Sequence, residues 1–250
     1  MKAEGGIRTL PIESLSEYIH FVETDCREPY VLFRGQRKDT DLLPKIARAG
    51  LAEGDLLKHE RKMFEDFKRF SLPYIMGPHP ESDWEWLTLA EHHGLPTRLL
   101  DWTKNPLAAL WFTVEKHEEE PGGEPPEGIV WVLKSREEDF VNISEEKNPF
   151  AVARTMVYEP SHITRRITAQ AAAFTVHRYI EGSSFIPLNR NKDFKSRIVK
   201  LVVPAGRFEE LRGQLDRCGI NAATLFADLD DLCKYISWKN TQPEKRIPPV

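Results

Sequence analysis

Residues 87–112 read Leu-Thr-Leu-Ala-Glu-His-His-Gly-Leu-Pro-Thr-Arg-Leu-Leu-Asp-Trp-Thr-Lys-Asn-Pro-Leu-Ala-Ala-Leu-Trp-Phe. Two apolar helical patterns flank a span that holds two histidines, Gly, Pro, Arg, Asp, Trp and two threonines. Loops between helices are usually short and bland. One this crowded with hydrogen-bonding side chains has the make-up of a binding or catalytic loop held on a rigid scaffold. A second polar cluster, Phe33, Arg34, Gly35 and Gln36, follows a short apolar stretch.

The 250 residues suffice for one substantial domain or two small ones, with a core stable without crosslinks. A hydrophobic fraction of 40% and a charged fraction of 30% describe an ordinary globular chain. The net charge of −4 argues against bulk attraction to nucleic acid or anionic lipid, while leaving room for a local basic cleft. Cys26, Cys218 and Cys233 are isolated, so no C-x-x-C metal or redox motif exists, and reduced thiols of a cytoplasm are expected. The opening Met-Lys-Ala-Glu-Gly-Gly lacks the apolar run of a signal peptide, and no run approaches the length of a membrane span.

Leu15, Tyr18, Ile19 and Val22 repeat at helical spacing behind Ser14, a cap residue, which predicts a helix over 14–26. A strand is predicted over 30–33, ended by Arg34 and Gly35. An amphipathic helix is predicted over 53–70, with Leu56, Leu57, Met63, Phe64, Phe67 and Phe70 on its apolar side. Asp83 is read as the cap of a helix closed by Gly94, and Asn105 before Pro106 as the cap and first turn of the next. Residues 116–128 read as a mobile acidic Pro/Gly loop and 182–184 as a turn. Strands are predicted at 129–133, 174–179 and 198–203. A helix over 208–218 should stop at Gly219. A last helix, 228–237, should turn Leu229, Leu232, Cys233 and Ile236 inward, before a loose tail. Helices and strands mix without β-α-β alternation, so the fold class is α+β: a small split mixed or antiparallel sheet flanked by helices. The expected organisation is a helical extension over 1–29, one domain over 30–238 and a tail over 239–250.

Phe33-Arg34-Gly35-Gln36 resembles the signature of the FRG domain family. Residues 92–103, with Asn105, Pro106 and residues 109–112, resemble that family's longest motif. Arg166, Ile167, Ala169, Gln170, Phe174 and Thr175 resemble a third block, and Gly219, Ile220 and residues 225–229 a fourth. The chain departs from the pattern at Glu91, where Gln is usual, at Ala172, often Gly, and at Ala227, commonly Pro. The order of blocks is similar to the ADP-ribosyltransferase layout. The resemblance therefore implies NAD as substrate, an unknown macromolecular acceptor, and a bacterial defence or toxin setting. It implies Arg34 as the residue that holds NAD, with Asp101, Trp102 and Thr103 as the second element. Gln170 falls where a Glu usually works on the sugar, and Gln cannot accept a proton as a carboxylate does. Glu91 could supply that carboxylate if it faces the cleft.

Each residue also has a bland reading. Arg34 could grip a phosphate pair, with Gly35 and Gln36 beside it, or could form an internal salt bridge to Asp101. His92 and His93, as helix neighbours about 100° apart, point in different directions, and no H-E-x-x-H spacing exists, so no metal is expected. One should pack at the helix end while the other serves the pocket as a donor or acid. Thr97, Arg98, Asp101, Trp102 and Thr103 form either a nucleotide pocket, Trp102 stacking on a ring, or a polar staple in which Arg98 pairs with Asp101. Gln170, near Phe174, bonds either ligand or backbone. Arg165 and Arg166 are a solvated pair or a basic lip. No phosphate-binding Gly-rich loop and no nucleophile elbow is present. Three functions stand at this point: NAD-dependent transfer or cleavage, a non-catalytic nucleotide- or nucleic-acid-binding module, and a protein-interaction domain. Membrane partners are not expected, and the oligomeric state is open.

Overall fold

Gly35 lies within a strand, one residue before its end, rather than in a turn after it. The computed structural model describes residues 2–4, 6–50, 56–75, 77–115, 126–161, 168–181, 184–226 and 228–241. The strand that carries Gly35, β3 (Val31–Gln36), pairs with β5 (Gly128–Lys134) at six positions, through Gln36↔Ile129. Glycine is needed there for room: a Cβ would lie 2.1 Å from the Ala109 carbonyl oxygen and 2.8 Å from Thr113 Oγ1. The expected sharp turn at Gly35 is therefore replaced by close contact with helix α4 (Pro106–Val114).

The remaining strands are β1 (Lys2–Glu4), β2 (Ile7–Pro11), β4 (Leu99–Thr103), β6 (Met156–Tyr158), β7 (Ala172–Val176) and β10 (Ile198–Val203), with a small hairpin of β8 (Tyr179–Ile180) and β9 (Ser184–Phe185). The main sheet has eight strands in the order β1-β2-β10-β5-β3-β4-β7-β6. All its pairings are antiparallel except β2 with β10. The fold class is α+β with a mixed sheet, larger than expected because the segment before Tyr30 adds two strands to it as well as helix α1 (Leu15–Asp25). The sheet is nearly split. β3 and β4 meet at one paired position, Phe33↔Thr103, whereas β4 and β7 share five.

Side-chain alternation sends the sheet's apolar residues to three cores. Phe33, Val130, Val132 and Leu201 pack with Trp111 of α4, Tyr18 of α1 and Leu215 of α5 (Phe208–Arg217). On the opposite face Leu32, Leu100, Trp102 and Trp131 pack with Leu188 and Phe194. Leu99, Phe174 and Val176 pack under α2 (Leu56–Ser71) and α3 (Asp83–His92), through Phe64, Trp84 and Leu87.

Several local signals hold. Ser14 Oγ accepts from Glu17 N–H at the start of α1, and Asn105 Oδ1 caps α4 through Leu107 and Ala108 N–H. Gly94 and Gly219 follow their helices with φ of +85° and +76°. Four readings are corrected. The cap of α3 is Ser82, which accepts from Glu85 N–H; Asp83 lies inside the helix and pairs with Lys68. Residues 99–103 form a strand, not loop. The strand expected over 174–179 lies two residues earlier. The last helix, α7 (Leu229–Thr241), exposes Leu229, Leu232, Cys233 and Ile236 and turns Asp231, Tyr235 and Trp238 toward the protein. A short α6 (Ala222–Phe226) precedes it. The 116–125 part of the predicted loop, Arg165, Arg166, Ile167, residues 182–183, Ala227 and the tail from 242 lie outside the described residues.

Candidate functional site

The helix-to-strand crossing after α3 is what makes a site. Gly94 N–H bonds Glu91 O at 2.8 Å and Leu95 N–H bonds Ala90 O at 3.0 Å, so the helix closes tightly and the chain turns into β4. Glu91 and His92, on the last turn of α3, are thereby brought over the seam between β3 and β4. Arg34 and Gly35 come from β3, Asp101 and Thr103 from β4, Phe112 from α4, and Gln170, Ala172 and Phe174 from the start of β7. Together they line a cavity of about 290 Å³. Arg34, the 92–103 segment and Gln170 thus converge, although far apart in sequence.

The Arg34 guanidinium lies at the seam. Its Nη1 donates to the Asp101 carbonyl at 2.8 Å and sits 2.6 Å from Asp101 Oδ1. Arg34 keeps 13% of its side chain exposed and Asp101 64%, so the carboxylate is the member of the pair that the cavity presents to solvent. Partial desolvation by the surrounding protein works to raise the Asp101 carboxyl, but Arg34 outweighs it and holds the group below its ordinary value. Glu91 behaves in the opposite way. Burial first, then the Asp101 charge, push it up to about 7, against the hydroxyl bond from Thr97 and the charge of Arg34. Two carboxyls in one cleft are driven apart in acidity, an arrangement that separates a permanent charge from a group able to give and take a proton near neutral pH.

Gln170 lines the cavity, but its side-chain Nε2 donates to the Leu225 carbonyl at 3.2 Å, and its backbone carbonyl accepts from Thr103 Oγ1. Ala171 beside it has φ of +45°, the one non-glycine residue with positive φ among those described. Phe112 and Phe174 supply ring surface.

Four of the residues picked from sequence lie elsewhere. Gln36 Oε1 accepts from Trp131 Nε1 at 2.7 Å. Thr97 is buried behind the site, donating to Glu91 and accepting from Leu99 N–H. Arg98 neither faces the cavity nor pairs with Asp101. It is buried against Glu60 of α2, with Nε and Nη2 on the two carboxylate oxygens at 3.0 and 2.6 Å. His93 opens on a separate, apolar cavity of about 620 Å³ between α2 and α3. The His92 and His93 rings stand 86° apart, and only His92 serves the cleft. Trp102 borders the cavity but packs into the core of the opposite sheet face, its Nε1 on Thr175 Oγ1 at 3.1 Å. It cannot act as a free stacking ring. Thr175 also contacts the fully buried His177, whose ring burial drives down to about 3 and so keeps neutral.

Phe112 and Glu60 were missed from sequence. A signal for Glu60 exists: it shares a helix face with Leu56 and Phe64, so it is a carboxylate on the buried side of an amphipathic helix.

Among the described residues no helix is long and apolar enough to cross a membrane, and no group of three or more His, Cys, Asp or Glu could hold a metal ion. No curated protein and no solved structure matches the chain. Residues 29–121 match the model of the FRG domain family, a stretch that takes in β3, the α3-to-β4 crossing and α4 but stops short of Gln170. The cleft is built largely from the stretch that matches the FRG domain model, and over that stretch the chain is similar to that family.

Proposed function

We propose that the cleft binds NAD and breaks the bond between nicotinamide and ribose, passing ADP-ribose to an acceptor or to water. The observation that carries this reading is Glu91: a carboxyl held at about 7, facing the cavity beside an ionised Asp101. The nicotinamide leaves with the bonding electron pair, the sugar passes through an oxocarbenium-like state, and the attacking hydroxyl or water gives its proton to Glu91. Asp101, fixed by Arg34, supplies the negative charge that the cationic sugar needs. The carboxylate role expected at Gln170 moves to Glu91, because the Gln170 amide is already bonded to Leu225. A bacterial defence or toxin setting belongs to this proposal and rests on the resemblance described above.

A second reading, a non-catalytic nucleotide-binding module, is favoured by one observation: Arg34 and Gln170 already have protein partners. Incubation with NAD, with and without cell extract as a source of acceptor, separates the two. The expected result is nicotinamide release that rises with pH through about 7, as Glu91 loses its proton. Glu91→Gln should abolish release while NAD still binds. Binding by calorimetry without any release would establish the module instead, and no binding at all would leave a protein-interaction domain.

A further inference from the structure

Among the described residues that line the cleft, the one guanidinium is already engaged. Arg34 is held by both the carbonyl and the carboxylate of Asp101, so a phosphate placed there would have to displace Asp101 and face Glu91 as well. Negative charge belongs at the mouth instead. The short 3-10 turn Lys45–Arg48 is fixed at that mouth in three ways. Ile46 N–H bonds Thr97 O at 3.2 Å, the Ile46 side chain is fully buried, and Lys45 Nζ donates to the carbonyl of Gly94, a cavity-lining residue, at 2.6 Å. Both Lys45 and Arg48 are exposed, and neither makes an ion pair among the described residues. Their charges reach inside: Arg48 helps hold the Asp101 carboxyl down, and Lys45 acts in the same sense on Glu91.

We infer that Lys45 and Arg48 form a phosphate subsite at the lip of the cleft, which receives the diphosphate of a dinucleotide while its other end lies against Glu91 and Asp101. The inference rests on the reading of the cleft given above for the identity of the ligand, but not for the subsite itself. A basic lip over an acidic floor complements a molecule with an anionic diphosphate and a cationic ring. Arg48 offers a planar fork for two phosphate oxygens and Lys45 a point charge, the usual division of labour between these side chains. Lys45 would keep its bond to Gly94 with one ammonium hydrogen and turn the others to phosphate.

Calorimetry on the full chain at low salt, with inorganic pyrophosphate, NAD and nicotinamide riboside, tests the subsite. Arg48→Glu is the informative variant because Arg48 is exposed and makes no ion pair among the described residues, and its melting temperature checks the fold. Pyrophosphate and NAD should each bind the variant about tenfold or more weakly. Nicotinamide riboside, which carries no phosphate, should bind both proteins equally. Arg48→Lys should recover part of the loss, and added salt should weaken pyrophosphate binding to the wild type. Pyrophosphate that fails to bind the wild type, or binds Arg48→Glu unchanged, overturns the subsite. NAD binding unaffected by Arg48→Glu overturns it while leaving the NAD reading intact. Pyrophosphate bound through Arg48, with no binding of NAD or nicotinamide riboside, leaves the subsite standing and removes the NAD reading.

Discussion

Glu91 and Asp101 share one cleft with Arg34, and their opposite shifts have a consequence for stability. The Glu91 carboxyl is raised from its ordinary 4.5 to about 7, first by burial and then by Asp101, so the folded protein holds that proton more tightly than the unfolded chain does. Its contribution is complete below about pH 4.5 and is lost as pH rises through about 7. Glu91→Gln removes this dependence. The variant should gain melting temperature relative to wild type between pH 5 and pH 8, as seen in paired thermal scans; a constant difference across that range would show that Glu91 is not so perturbed. Gly35 makes a steric prediction. Gly35→Ala forces a methyl group against the Ala109 carbonyl at 2.1 Å and should cost about 3 kcal/mol or more in urea unfolding. An alanine variant of nearly wild-type stability would mean that α4 can move away from β3. At this scale the sequence located the residues better than it oriented them. Asp101 and Trp102 are adjacent, yet one faces the cleft and the other the opposite core, because strand side chains alternate.

Helix α7 shows how an element can contradict its own pattern. Leu229, Leu232, Cys233 and Ile236 recur at the spacing of a buried face, but Leu229 is 76% exposed and Ile236 50%. The face that packs carries Tyr235, against the α4 core, and Trp238, whose ring lies 4.5 Å beneath the Arg212 guanidinium. Leu229→Gln and Ile236→Gln should therefore change stability by no more than about 0.5 kcal/mol, and Tyr235→Ala by clearly more. A large loss from either glutamine would show that the stripe is covered in solution. Helix α2 is tied to the approach to β4 by the Arg98–Glu60 pair, in which both side chains are 2% exposed. Removing one member strands the other in a buried position, so Glu60→Gln should cost about 3 kcal/mol. The double change Glu60→Leu with Arg98→Met should recover most of that in a double-mutant cycle. Simple additivity of the two losses would rule out the coupling. The polar staple expected within the 97–103 segment, Arg98 with Asp101, does not form: Arg98 pairs with Glu60 of α2 and Asp101 with Arg34.

At the scale of the molecule the feature that makes a cleft possible is the weak seam in the sheet. β5 is paired at six positions on each side, with β3 and with β10, while β3 and β4 share one. Hydrogen exchange should find the β5 amides among the slowest, and the β3 and β4 amides that face each other across the seam markedly faster. On the proposed reading, added NAD should slow the second group selectively. Equal protection of both groups would mean that the sheet is continuous there. The sequence by itself determined the family motif, the α+β class, the buried strands around β5 and β10, and helix ends at Ser14, Gly94, Asn105 and Gly219. Each of these depends on a residue and its near neighbours along the chain. Only the tertiary structure decided that Arg98 meets Glu60, that the Gln170 amide is taken by Leu225, that α7 turns its leucines outward, and that Glu91 lines the cleft with its carboxyl raised to about 7. Those outcomes depend on strand pairing and burial between segments distant in sequence, and local spacing carries no record of which distant neighbour arrives.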